Sequence, residues 1–146
     1  MGRELMFLDA SAVVAVLLNE PEAPGLLKAM EAARGTLRFS PVVRMEATLA
    51  LVRAKVQARG KGPAAAEDFA AAAELVDGFF EAAEAQEMHI TTGMGKEAIR
   101  ALSVYGKVVG HAAQLNFGDA LSYACAKAYH VPLLYKGGDF SETDLA

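Results

Sequence analysis

The chain has 146 residues but one cysteine, Cys125, no tryptophan and three histidines. A lone thiol cannot close an intramolecular disulfide, so the fold must rest on its own core, and a reducing compartment is compatible. His89, His111 and His130 do not share the spacing of a metal-ligand set. Long hydrophobic runs are missing as well. The longest, such as residues 12–18, fall far short of the roughly 18–20 residues a membrane-spanning helix needs. At the N-terminus Glu4 follows Arg3 and Asp9 stops the apolar run, which is no secretory signal. The expectation is a cytoplasmic protein with no membrane contact. Excess positive charge is absent too, the formal net charge being −4. Such a chain does not hold nucleic acid by bulk electrostatics. If it acts on RNA, something local must offset its acids, and a divalent cation would do so.

Hydrophobic residues make up 53% of the sequence, with alanine dominant and the charges interspersed. This composition predicts one helix-rich globular domain over residues 1–146, without repeats or an interdomain linker. Leu5-Met6-Phe7-Leu8 is a continuous apolar run that stops at Asp9, the pattern of a buried parallel strand. Short helices are predicted over 12–18 and 22–33, and a second strand over 36–39. Ser40-Pro41 is a helix N-cap with proline in the first turn. It opens a helix to about residue 58 with the apolar stripe Val42, Met45, Leu49, Val52, Val56. After the Gly60-Lys61-Gly62-Pro63 turn comes an alanine-rich helix carrying Phe69, Val76, Phe79 and Phe80. A third strand is expected over 88–90, a helix over 96–105, a break over 106–110, a helix from Gly118-Asp119 to about 129, and a last strand over 132–135. Strands alternating with helices predict an α/β fold: a central parallel β-sheet flanked by helices on both faces.

In such sheets the ligand site lies beyond the carboxyl ends of the strands. Asp9 ends the first strand, Asp139 lies just past the last, and Asp119 heads a helix that returns to the sheet. Glu46, four residues after Val42, borders the apolar stripe of its helix, so its side chain is expected inward or along the rim. Two like charges about 4 Å apart repel by about 4 kcal/mol at an effective dielectric near 20. The acids must therefore be protonated, paired with bases or bound to a cation. Oxygen donors without His or Cys select hard metals, Mg²⁺ or Mn²⁺, which can activate water and stabilise charge on a phosphate. The residues thus point to hydrolytic phosphoryl transfer. Each acid taken singly also has an ordinary role as a cap, a turn residue or a solvated side chain.

Phe7-Leu8-Asp9-Ala10-Ser11-Ala12 and Asn116-Phe117-Gly118-Asp119-Ala120 resemble the PIN domain, specifically the VapC-type toxins of bacterial type II toxin–antitoxin pairs. Arg44-Met45-Glu46-Ala47 and the ending Pro132-Leu133-Leu134-Tyr135-Lys136-Gly137-Gly138-Asp139-Phe140 with Thr143-Asp144 are similar to theirs too. The resemblance implies a Mg²⁺-dependent endoribonuclease whose catalytic and metal-binding acids are Asp9, Glu46, Asp119 and Asp139. Asp9 and Asp119 are the foremost ligands, Ser11 and Asn116 support them, and Glu142 or Asp144 could share the role of Asp139. It also implies a homodimer silenced by a cognate VapB-like antitoxin. The alternative is a catalytically inactive PIN-like module that binds RNA or protein.

Gly93-Met94-Gly95-Lys96-Glu97-Ala98 matches a dinucleotide fingerprint, but no strand ending in an acidic ribose ligand follows at the required distance. A phosphatase of the Asp-x-Asp type would need an acid where Ser11 stands. Arg53, Lys55, Arg59 and Lys61 form the one basic concentration. Arg44, Arg53 and Lys55 are candidate RNA-phosphate contacts flanking the acids. Phe79 and Phe80 are adjacent on a helix, so one is expected in the core and the other toward a partner.

Overall fold

A computed structural model of the chain describes residues 4–60, 62–138 and 140–145. The strand β1 (Met6–Leu8) is buried through Phe7 and Leu8 and ends where Asp9 caps helix α1 (Ala10–Leu17). Then come α2 (Ala23–Ala32), β2 (Leu37–Phe39), α3 (Pro41–Arg59), α4 (Ala66–Ala82), β3 (Gln86–Glu87), α5 (Thr92–Tyr105), α6 (Phe117–Ala128) and β4 (Leu133–Leu134). Single 3₁₀ turns cover Lys107–Val109 and Phe140–Glu142. The strands order as β3-β2-β1-β4, and every pair is parallel.

From β1 to β2 to β3 the chain steps one way, then crosses back to place β4 on the other side of β1. Right-handed crossovers therefore put α1–α4 on one face and α5–α6 on the other. The helix contacts agree: α1 packs on α2 and α3, α3 on α4, and α5 on α6. The order reverses between β1 and β4, the switch point where α/β sheets bind ligands. Helix α6 is buried nearly all round, from Ala120 to Ala126, and small residues let it lie close to its neighbours.

Three local expectations needed correction. The buried face of α3 is Val43, Ala47, Leu51 and Val52, whereas Met45 is 59% exposed. Close packing against α1 and α4 favours the small Ala47 over the larger side chains that define the predicted stripe. The third strand is Gln86–Glu87, not 88–90. It is an exposed edge, so it pairs through its backbone without an apolar signature, and Met88 N–H still donates to the Phe39 carbonyl at 2.8 Å. Helix α5 begins at Thr92, earlier than residue 96, because the Thr91 hydroxyl caps it by accepting the Met94 N–H at 3.1 Å. Gly93 and Gly95 are thus helical, not a phosphate-cradling loop. Phe80 is buried and stacks on Phe39 at 3.5 Å, while Phe79 is half-buried.

Candidate active site

A cavity of about 480 Å³ opens beyond the carboxyl ends of β1 and β4, and Asp9, Glu46 and Asp119 all line it. Asp9 follows directly on β1, and its backbone N–H donates to the Leu134 carbonyl at 3.0 Å. Its Oδ2 accepts the Ser11 N–H at 3.0 Å and the Ser11 hydroxyl at 2.6 Å. Ser11 Oγ in turn accepts the Lys136 N–H at 3.0 Å. One hydroxyl thereby ties the loop after β4 to the carboxylate after β1.

Asp119 is placed by a reciprocal cap. Asn116 Oδ1 accepts the Asp119 N–H at 3.0 Å, and Asp119 Oδ2 accepts the Asn116 N–H at 3.1 Å. Glu46 comes from α3, where Glu46, Leu49, Ala50 and Arg53 form a single helical face along the cavity. Its carboxylate lies against α6. A Cβ on Gly118 would collide with the Glu46 carboxylate, so this approach requires glycine. Burial, with the charges of Asp9 and Asp119, pushes Glu46 from its usual 4.5 up to about 7.

Among the other predicted residues, Arg53 is exposed at the cavity wall. Arg44 and Lys55 were expected to flank the acids, and the structure places them elsewhere. Arg44 donates to Glu87 at 2.8 Å and to Asp77, and its guanidinium lies over the rings of Phe39 and Phe80. It joins α3 to α4 and β3. Lys55 faces Asp68 at 3.6 Å, across the α3–α4 hairpin. Asp139 lies outside the described residues. Asp144 does not substitute for it. It accepts from Tyr123 Oη at 2.6 Å and Lys127 Nζ at 2.7 Å, beside residues that precede β1 and β4 at the opposite end of the sheet. Glu142 is not among the residues lining the acid cavity.

Sequence reasoning missed Glu20, Lys136 and the role of Gly118. Gly118 carried a signal in its place just before Asp119, whereas Lys136 was hidden in a glycine turn.

The donor set is all oxygen, and burial with the charges of Asp9 and Asp119 raises the proton affinity of Glu46, which fits a hard divalent cation. Among the described residues no three carboxylates already stand at closed-cage spacing. Asp9 and Asp119, with Glu46 beside them on the cavity, are the residues that would hold such a cation.

A central parallel sheet with an acid-lined cavity at its switch point defines an α/β domain with a ligand site beyond its strand ends. The PIN domain family model matches residues 6–145. A VapC ribonuclease of Rhizobium meliloti is 46% identical over 142 residues, covering 97% of this chain and 99% of that protein. The chain belongs to the PIN domain family, among the VapC ribonucleases. Two solved structures share the fold. The crystal structure of Mycobacterium tuberculosis VapC20, a sarcin-ricin loop cleaving toxin, has a TM-score of 0.70 at 17% identity, covering 97% of this chain and 96% of that one. A toxin–antitoxin complex from Klebsiella pneumoniae has a TM-score of 0.60 at 14% identity, covering 93% and 90%. Nucleases of this family generally depend on a divalent metal, and VapC toxins pair with antitoxins. No helix among the described residues is long and apolar enough to cross a membrane.

Proposed function

We propose that this chain is a Mg²⁺-dependent endoribonuclease, the toxin of a type II toxin–antitoxin pair, with Mn²⁺ able to replace Mg²⁺. The observation that carries this reading is the convergence of Asp9, Glu46 and Asp119 on one cavity, with Glu46 raised to about 7 by burial first and then by the charges of the other two. Asp9 and Asp119 hold the cation, fixed by Ser11 and by the Asn116 cap. Asp139 completes the set. The bound metal supplies an activated water and charge stabilisation on the phosphate. Glu46 is poised to hold or release a proton near neutral pH, the property required of a group that orients attacking water. Arg53, on the same helical face as Glu46, contacts the RNA backbone.

The protein works in the cytoplasm, as a homodimer, and is silenced by a VapB-like antitoxin. An inactive binding module would have no use for three carboxylates held in mutual repulsion. The test is incubation of purified, antitoxin-free protein with total RNA in Mg²⁺, Mn²⁺ or EDTA, with Asp9→Asn as control. Cleavage that needs metal and Asp9 is the expected result. No cleavage under any metal overturns the reading.

A further inference from the structure

Four acids, Asp9, Glu20, Glu46 and Asp119, and two bases, Arg53 and Lys136, line the cavity among the described residues. The two bases differ in how they are held. Arg53 is exposed at the cavity wall, whereas Lys136 Nζ lies 2.7 Å from Glu20 Oε1 and 3.9 Å from Glu22 Oε1.

Backbone devices bring this pair together. Helix α1 ends in a Schellman turn: Asn19 is left-handed at φ 51°, its N–H donates to the Val16 carbonyl, and the Glu20 N–H donates to Ala15 at 2.8 Å. That turn points the chain back so that Glu20 reaches the cavity. Lys136 is fixed by its N–H on Ser11 Oγ, one hydroxyl away from Asp9. Its backbone does the tethering, which leaves the ammonium for another task.

We propose that Lys136 is a phosphate-binding residue of the RNA path and that Glu20 occupies it in the resting protein. RNA then engages by exchanging a carboxylate for a phosphate on the same ammonium. This rests on the ribonuclease reading. The pair's side chains are 34% and 27% exposed, so it is a partly solvated ion pair that costs little to open. The exchange leaves the cavity's net charge unchanged: the Lys136 ammonium passes from Glu20 to the phosphate, and the released Glu20 carboxylate, already partly exposed, is taken up by solvent. Arg53 on α3 and Lys136 after β4 come from different elements on the same cavity, so both can contact one strand.

The test is binding of a fluorescently labelled single-stranded RNA dodecamer by anisotropy, in a Glu46→Gln background so that cleavage does not consume the probe. Lys136→Gln is expected to weaken binding about five- to tenfold and to lower the salt slope by about 0.7, the signature of one lost phosphate contact. Lys136→Arg should retain both. Glu20→Gln should tighten binding about threefold, and that gain should vanish when combined with Lys136→Gln. In the active protein Lys136→Gln should raise KM more than it lowers kcat. Unchanged affinity and slope in Lys136→Gln overturn the proposal. So does a Glu20→Gln variant that weakens binding, or equal thermal destabilisation by both variants with binding intact. Wild type that binds and cuts RNA while Lys136→Gln stays silent removes the exchange alone. Wild type that neither binds nor cuts RNA removes the ribonuclease reading with it.

Discussion

Glu46 in α3 and Asp68 at the start of α4 are both carboxylates drawn back from water, yet their surroundings drive them in opposite directions. Asp68 accepts from Arg59 Nη1 and Nη2 at 3.0 Å each and from the Ala65 N–H at 2.8 Å, with Lys55 at 3.6 Å. The Arg59 hydrogen bonds above all, then that of Ala65, hold its carboxyl at about 2. Glu46 meets burial first, then the charges of Asp9 and Asp119, and rises to about 7. An acid that only closes a helical hairpin is given bases and donors. One left among other acids marks where a cation or a proton is to be handled.

The largest effect expected from breaking this contrast is on cleavage. Asp9→Asn and Glu46→Gln should each reduce RNA cleavage by at least about a hundredfold with the circular dichroism spectrum unchanged, since each removes charge from the metal and water machinery. Loss of the folded spectrum along with activity would assign them a structural role instead. Next comes Gly118→Ala, which places a methyl where the Glu46 carboxylate lies. The side-chain end can swing away, so the fold should survive, and alanine in a helix favours stability by about 0.5–1 kcal/mol. Cleavage should nevertheless fall about tenfold or more, because displacement of a reacting group by an ångström is costly. Full activity in this variant would show that the Glu46 position is not critical.

The two carboxylates should also respond to pH with opposite sign. Between about 4.5 and 7 the folded, metal-free protein binds more protons at Glu46 than the unfolded chain does, so its stability falls as pH rises through that window. Discounted for partial exposure, the change is about 2 kcal/mol. It should disappear in Glu46→Gln and flatten when Mg²⁺ is added. Thermal melts in EDTA at pH 5 and pH 7 check it, and identical slopes in wild type and Glu46→Gln would refute it. Asp68 has a lowered pKa, so its contribution is present above 3.8 and lost as pH falls toward about 2. The smallest expected effect is that of Asp68→Asn: a melting temperature lower by a few degrees at neutral pH, with RNA cleavage at the wild-type rate.

The legibility of these features followed the same physics. Strand β1 was readable because its apolar run is continuous and stops at a charge, and the alternation of elements then fixed the sheet end where Asp9 lies. Ser40 was readable as a cap because capping is local, whereas the last long helix was expected to open at Gly118-Asp119 and is capped earlier, by Asn116. The buried face of α3 was misread because alanine packs tightly while contributing little to a pattern weighted by size, as Ala47 and Met45 demonstrate. Glu46 still falls on the cavity side, since it stands three residues after the buried Val43. Edge strand β3 had no apolar signature to find. Arg44 and Lys55 looked like RNA contacts because basic charge in a sequence does not reveal its partners. Asp77, Glu87 and Asp68 are brought to them only by tertiary packing. Lys136 and Glu20, 116 residues apart, meet for the same reason.

Asp9, Glu46 and Asp119 are proposed to share one site built for a divalent cation. The most direct measurement is the titration of the Glu46 carboxyl by carbon-detected NMR, with and without Mg²⁺ and in the Asp9→Asn variant. The expected result is a midpoint near 7 in the metal-free protein, a clear fall when Asp9 is neutralised, and a larger fall when Mg²⁺ binds. A midpoint near 4.5 that responds to neither change would contradict it.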